Sequence, residues 1–379
     1  MHKSKAVSFQ TLQQLQSGKL KGSKHLQLSC ALTELPQQIF ELADTLEILD
    51  LSNNQLSYLP SNFGDFTKLK ILFASDNLFT EVPEVLAQCH NLEMIGFKNN
   101  KINTFSEKAL PIQTRWLILT NNQLTSIPQS IGKCYRMQKL ALAGNQLKTL
   151  PQELSHCKNL GLLRISANQL QTFPEWLLQM PKLSWLAFAG NPFCYKPSIQ
   201  NALQEIDWAD LELQEQLGQG ASGIINKAIW QPKNEIKQEV AVKVFKGAVT
   251  SDGLPEDEMS ACILAGNHNN LVKVIGKVIH HPEQKEALVL ALIPANYYNL
   301  GLPPSYASCT RDVFKEETVF SIGAIIKIVS AAASVAAQLH SKGILHGDLY
   351  AHNILVNNEA DSLLGDFGAA SFYDTRGTL

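Results

Sequence analysis

The sequence predicts two folds in tandem: an α/β solenoid in the first half and an α+β domain in the second. Three observations lead there. Seven asparagines, Asn54, Asn77, Asn100, Asn122, Asn145, Asn168 and Asn191, recur at spacings of 23, 23, 22, 23, 23 and 23 residues, each in a similar apolar frame. A fixed period of this size marks stacked units, none of which buries its apolar face alone. The period stops after Asn191-Pro192-Phe193, and glycine-rich and acidic motifs of another kind begin near residue 210. Finally, 379 residues that are 45% apolar and 17% charged hold enough core material for about two or three domains.

Composition narrows the function classes. Thirty-two Lys and Arg stand against 34 Asp and Glu, a net charge of −2, without a basic block to neutralise phosphates, so nucleic acid is not expected as a partner. Met1 to Leu20 lacks the apolar run of a signal peptide or anchor. The apolar stretch Ile322 to Leu339 carries Lys327 and Gln338, which suits a buried helix better than a membrane span. A soluble, cytoplasmic chain without a membrane partner is therefore expected. Three of the seven cysteines, Cys89, Cys134 and Cys157, share one position of the repeat, which Phe66 and Met180 occupy elsewhere. A slot that accepts Phe, Met or Cys is a buried apolar slot, and a reducing compartment follows.

One unit reads Leu46-Glu-Ile-Leu49-Asp-Leu51-Ser-Asn-Asn54-Gln-Leu56-Ser-Tyr-Leu59-Pro60, and its frame returns at Leu160 to Pro174. The alternation Leu49, Leu51 is a short strand with one face in the core. The asparagine after it can satisfy backbone groups of a buried turn, and the Leu-Pro step keeps the chain out of a helix as it starts back along the outer face. The first unit, Leu26 to Leu32, is one residue short and lacks the asparagine, as an end repeat can. These units resemble the leucine-rich repeat family. The expected layout is a flank over residues 1–22, repeats over 23–195, a cap or linker over 196–209, and the second domain over 210–379. On the concave face Ile48, Ile71, Met94, Trp116, Leu162 and Trp185 form one column, with Phe73 and Ile118 in the next. That surface is either a seat for a protein or peptide ligand or a column packed against its own neighbours.

In the second half, Leu217-Gly218-Gln-Gly220-Ala-Ser-Gly223-Ile-Ile225 is a glycine loop, which alone also suits an ordinary hairpin. Lys243 follows in Val240-Ala241-Val242-Lys243, a lysine on a buried strand that needs an anionic partner. His346-Gly347-Asp348-Leu349 precedes Asn353, and Asp366-Phe367-Gly368 closes the series. In this order and spacing the four motifs resemble the protein kinase fold. The resemblance implies ATP and Mg as cofactors and a protein substrate. By it, Leu217, Gly218, Gly220, Gly223 and Ile225 cover the nucleotide, Lys243 meets its phosphates, and Glu258, with Glu256 as a substitute, holds that lysine. Leu290, on the strand into the hinge, would wall the adenine pocket. Asp348 would take the proton of the acceptor hydroxyl, and Asn353 and Asp366 would hold magnesium.

Three departures stand out. Gly347 replaces the arginine usual before the catalytic aspartate, which argues against control by loop phosphorylation. Tyr350 stands where serine/threonine kinases commonly carry lysine, and His352 where tyrosine kinases carry arginine. These leave the acceptor open, with serine or threonine taken ahead of tyrosine. The sequence runs 11 residues past Gly368 without an Ala-Pro-Glu-like segment, so the large lobe is expected to be incomplete and the apolar helix to be exposed unless something covers it. The leading expectation is a leucine-rich-repeat protein kinase. The alternatives are a nucleotide-binding pseudokinase scaffold and a repeat module without catalysis.

Overall fold

The computed structural model describes residues 10–195, 203–220, 222–232, 236–246, 249–250, 252–303 and 312–374. The chain divides into two compact units, one of residues 1–163 with 168–184 and the other of 164–167 with 185–379. Of the expected cap and linker, residues 196–202 lie outside the described residues, as does Ala221 of the glycine loop.

The repeats begin with α1 (Leu12–Gln16), which Thr11 and Gln14 close in a reciprocal capping box. Gln10 then exchanges hydrogen bonds with the backbone of His25 and Gln27, covering the first strand's edge. Eight short strands follow: β1 (His25–Gln27), β2 (Ile48–Asp50), β3 (Ile71–Phe73), β4 (Met94–Gly96), β5 (Trp116–Ile118), β6 (Lys139–Ala141), β7 (Leu162–Arg164) and β8 (Trp185–Ala187). They form one sheet in chain order. From β1 to β6 each strand pairs parallel with the next, so that Ile48, Ile71, Met94, Trp116 and Lys139 stand in one row.

The asparagine ladder is what joins successive rungs. All seven asparagines are buried. Each reaches back: Asn77 Nδ2 donates to Leu51 O at 2.9 Å, and its Oδ1 accepts from Leu56 N at 2.9 Å. The first rung lacks its own asparagine, and Asn54 serves it by accepting from Cys30 N and Leu32 N while donating to Leu28 O. Asn122 donates to Phe97 O, Leu119 O and Thr120 O and accepts from Ile102 N at 3.0 Å. Replacing it with leucine strands several buried backbone groups at about 1–3 kcal/mol each, so Asn122→Leu is expected to cost about 3 kcal/mol after relaxation. Denaturant unfolding checks this, and an unchanged midpoint for the repeat transition would refute the structural role.

The return paths differ in detail from the sequence expectation. Pro36, Pro60, Pro83, Pro128, Pro151 and Pro174 do not simply bar a helix; each sits just before a single 3₁₀ turn, with φ between −63° and −74°. The rung with the shorter spacing, between Asn100 and Asn122, has Ser106 where the others have proline. It makes a bridge from Glu81 to Thr104 in place of a 3₁₀ turn. The shared Phe/Cys/Met slot is buried throughout, as expected, and burial pushes the thiols of Cys89, Cys134 and Cys157 up to about 12, 11 and 12.

The concave column is more enclosed than an open ligand surface. Met94, Leu162 and Trp185 are buried, and Ile48, Ile71 and Trp116 are half-buried. Neighbouring rungs cover one another: the Lys139 ammonium lies 4.6 Å from the centre of the Trp116 ring. The Phe73 ring fills the space above Gly96, where a Cβ would come within 2.6 Å of it.

The second unit carries a six-stranded sheet in the order β10-β11-β12-β14-β13-β9. Its strands are β9 (Gln204–Asp207), β10 (Leu211–Gln219), β11 (Gly223–Trp230), β12 (Gln238–Phe245), β13 (Val274–Ile279) and β14 (Ala287–Ala291), with α2 (Pro255–Ala265) between β12 and β13. Neighbours are antiparallel except β9, which runs parallel to β13. Residues 204–207, expected within a linker, are thus an edge strand of this domain. Ile206 explains why, since it is 1% exposed in a core shared with Leu211, Trp230, Val240, Val242 and Val289. The sheet's other face packs Phe245 and Leu288 against Met259 of α2.

Below lie β15 (Tyr298–Asn299), α3 (Ile322–Ser341), β16 (Ile344–Leu345), β17 (Ile354–Val356), β18 (Ser362–Leu364) and β19 (Ser371–Phe372). Ser321 caps α3 by accepting from Ala324 N. The expectation of a buried helix holds for one stripe only, Ile328, Val335 and Leu339. Ile322, Ile326 and Val329 on the opposite side are 77%, 60% and 60% exposed. By length and composition α3 is apolar enough to cross a membrane.

Candidate active site

The sheet's period of two decides which side chains meet. Lys243 lies directly opposite Ile225 on one side and Leu288 on the other, so these three share a face, while Val242 and Val244 turn to the opposite core. That face looks toward α2. Pro255 opens α2, and Glu256, Asp257 and Glu258 fill its first turn, where acidic groups complement the helix dipole. Glu256 is exposed and Glu258 is 1% exposed. Glu258 Oε1 accepts from Lys243 Nζ in an ion pair, so the carboxylate expected to hold the lysine does so and the substitute does not.

Burial alone would drive both partners neutral. It works against the Lys243 ammonium, but the Glu258 and Asp366 carboxylates outweigh it and hold the lysine above its ordinary value. Burial pushes the Glu258 carboxyl up, Lys243 pulls it down, and Asp366 pushes it up again. These directions compete for one proton. The ammonium–carboxylate form is the state the geometry supports, because Lys243 answers to two carboxylates and also lies 5.1 Å from the Phe245 ring centre. Asp366 joins this group from below. It takes a left-handed φ of 58°, while buried Phe367 anchors in a core with Ala261, Ala265, Leu339 and Ile344. A Cβ on Gly368 would stand 3.2 Å from Asp366 Oδ1 and 3.9 Å from Glu258 Oε2, so the two carboxylates converge on one spot.

The glycine loop is the turn between β10 and β11. Gly220 N donates to Gly223 O at 3.0 Å, and Lys246 Nζ donates to Gly220 O at 2.9 Å. Gly223 is required by packing, because a Cβ there would lie 2.6 Å from Val244 O. At Gly218 and Gly220 a Cβ would meet nothing within 4 Å, so protein packing does not dictate those two glycines. Gly218 faces Ile225 across the hairpin, and Leu217 is 49% exposed. Leu290 packs into the cluster of Phe245, Met259 and Leu288, on the Lys243 face.

Asp348 sits on the loop after β16. It is 8% exposed, its backbone N–H donates to His346 Nδ1, and the Asn353 side chain donates to its backbone O at 3.0 Å and to Oδ2 at 2.9 Å. Asn353 closes a short 3₁₀ turn (Ala351–Asn353), which presents its amide to the aspartate five residues back. His346 bonds Gly365 O at 3.1 Å and packs its ring 5.2 Å from that of Phe367, tying this loop to the Asp366 turn.

Gly347, in place of the usual arginine, has no explanation in the local sequence. The structure supplies one. Gly347 has φ of 76°, and a Cβ would lie 2.3 Å from Ala369 O, because β19 returns antiparallel to β16 and brings that carbonyl against the loop. His352 bonds Gly301 O, and Ala351 N donates to Asp312 Oδ1. A cavity of about 470 Å³ lies elsewhere, between β15, β17 and the start of α3, lined by Leu300, Phe314, Phe320, Ile328 and Val356. None of the expected site residues lines it.

Residues 211–378 match the family described as protein tyrosine and serine/threonine kinase. Residues 112–170 and 136–193 match one leucine-rich repeat family and residues 45–66 another. A "Probable serine/threonine-protein kinase" of Dictyostelium discoideum is 29% identical over 172 residues, 45% of this chain and 10% of that protein. A second protein so named from that organism is 27% identical over 179 residues, 47% of this chain and 12% of its own length. A tyrosine-protein kinase receptor of Danio rerio is 27% identical over 160 residues, 42% of this chain and 18% of the receptor. The matches thus span less than a fifth of the curated relatives' own length.

Proposed function

We propose that this chain, in which leucine-rich repeats are followed by a protein kinase domain, binds Mg-ATP and transfers the γ-phosphoryl group to protein hydroxyls, serine or threonine ahead of tyrosine. The convergence of the Lys243–Glu258 ion pair with Asp366 beneath the glycine hairpin carries this reading. A lysine 13% exposed, fixed by a buried glutamate and overlooked by an exposed aspartate, suits a triphosphate with its cation. Magnesium retains several waters and takes one or two protein ligands beside substrate phosphates. The single carboxylate of Asp366 and the amide oxygen of Asn353, whose nitrogen is given to Asp348, fit that requirement. Bound Mg-ATP supplies the phosphoryl group and the cation that neutralises its charge.

Asp348 holds the acceptor hydroxyl and takes its proton, while Asn353 fixes the rotamer of that carboxylate. Lys243 binds and orients phosphate oxygens, and Glu258 keeps the lysine extended across the sheet face. The repeats recruit a protein or peptide partner through the half-buried rungs of the concave face, around Ile48, Ile71 and Trp116.

Thermal unfolding of the full chain tests the reading. Mg-ATP at a hundredfold excess over Kd is expected to stabilise the kinase domain by about 2.7 kcal/mol. Asp366→Asn is expected to make the shift independent of magnesium, so that ATP with and without the metal acts alike. Phosphoamino-acid analysis of a mixed casein and poly(Glu,Tyr) acceptor decides between serine or threonine and tyrosine. Folded protein without a nucleotide-dependent shift would leave the repeats as the functional half.

A further inference from the structure

We propose that Leu203, at the entry to β9, is a positioning residue that braces α2 and thereby keeps Glu258 on Lys243. The inference rests on the reading of that ion pair as the group that holds the nucleotide. β9 is built into the sheet from both faces, because residues 203 and 206 are an odd number apart and point to opposite sides. Ile206 enters the core behind the sheet. Leu203 goes the other way, into the cluster of Phe245, Met259, Leu288, Cys262, Ile263, Val274 and Leu290. Each neighbour has a place in the site. Phe245 is two residues beyond Lys243, Leu288 is its cross-strand partner, and Met259 follows Glu258 on α2.

The edge is shaped for this strand. Gly276 lies opposite Gln204, and a Cβ there would come within 2.5 Å of Gln204 O and 2.7 Å of Ile206 Cδ1. The far end of β9 is pinned twice, by Asp207 Oδ2 to His280 Nδ1 at 2.8 Å and by the Trp208 ring 4.2 Å from that of His281. α2 turns Ala261 and Ala265 into the core of Leu339 and Phe367, and its Met259 and Cys262 meet the sheet within the cluster that Leu203 joins, so the sheet-side seat of the helix is set there. A side chain delivered from a strand clamped at its other end can therefore set where α2 rests. In sequence that strand is the first described element between the repeats and the glycine hairpin.

The test compares Leu203→Ala, Leu203→Met and Ile206→Ala in the full chain, reading amide hydrogen exchange and Mg-ATP affinity by thermal shift. Leu203→Ala is expected to speed exchange of the α2 amides from Met259 to Ile263 about tenfold relative to β11 and β12, and to weaken Mg-ATP by a similar factor. Leu203→Met should restore both. In a Glu258→Gln background, Leu203→Ala should add little further loss of affinity, because both changes act through one pair. Ile206→Ala, on the opposite face, should loosen the whole sheet without singling out α2. The proposal is overturned if Leu203→Ala leaves α2 exchange unchanged relative to β11 and β12, if Ile206→Ala reproduces the selective effect, or if the losses with Glu258→Gln add in full. Wild-type protein that shows no Mg-ATP shift would overturn the nucleotide reading instead, and the α2 exchange comparison would still decide the bracing.

Discussion

Asp348→Asn is expected to reduce phosphoryl transfer by about two to four orders of magnitude, the range a positioned general base contributes, while the Mg-ATP stabilisation stays at its wild-type size. The separation follows from where Asp348 sits. It belongs to the loop after β16 and takes two hydrogen bonds from Asn353, whereas the Lys243–Glu258 pair is held by β12 and α2. An asparagine at 348 keeps the shape and, with its amide oxygen toward Asn353, keeps that bond. It loses only the capacity to accept a proton. Transfer to casein and the thermal shift, measured on the same preparation, check the prediction. Transfer that survives the substitution would remove Asp348 from the role of base, and a lost thermal shift would make it part of the nucleotide site or of the fold. Wild-type protein that binds Mg-ATP but transfers nothing, with or without the substitution, would be a nucleotide-binding scaffold.

The repeats were legible because one chemical need recurs in every rung. A short strand turning sharply inside a core leaves carbonyls and amides that only a buried asparagine reaches in both directions, so the side chain repeats with the geometry. A second periodic signal sits beside it. The residue before each ladder asparagine takes a left-handed φ at Asn53, Asp76, Asn99, Asn121, Gly144, Ala167 and Gly190, and all but Ala167 are residue types that tolerate it. Reading those positions would have fixed the turn conformation from sequence alone. The concave column was not legible in the same way, since apolar residues at one register fit either an open surface or rungs that cover each other. Only the stacking of Lys139 on Trp116 and of Phe73 above Gly96 distinguishes these.

In the second domain, Lys243 and its partner could be read because a lysine inside Val240-Ala241-Val242 has no apolar explanation. Two features could not. Gly347 answers a carbonyl of Ala369, brought close by a strand pairing that no local pattern announces. The four residues of β9 are too short and too mixed to stand out from a linker, and their edge position depends on Gly276, some seventy residues away in the chain. The α3 pattern misled for a related reason. Its buried stripe and its exposed stripe are both apolar, so composition predicts burial on two sides where the described residues cover one.

The largest stability effect is expected at the ion pair. Lys243 is 13% and Glu258 1% exposed, so removing either partner leaves a charge in a site that water barely reaches. Lys243→Met and Glu258→Leu are each expected to destabilise the kinase domain by about 3–5 kcal/mol, the usual cost of an uncompensated buried charge. The double variant should lose clearly less than the sum, because methionine and leucine can pack against Phe245 and Cys262 with no charge left to desolvate. The two singles are not equivalent, however. Asp366 lies within electrostatic reach of both partners, so Lys243→Met leaves two carboxylates facing each other, whereas Glu258→Leu leaves the lysine one carboxylate to pair with. Lys243→Met should therefore be the more destabilising of the two. It should also remove most of the Mg-ATP shift, since the phosphates lose their cation, while Glu258→Leu should retain part of it. Denaturant unfolding of the four proteins in the double-mutant cycle, with and without nucleotide, measures all of these. Strictly additive losses, or Glu258→Leu proving the costlier single change, would show that the pair and Asp366 do not act as one electrostatic unit.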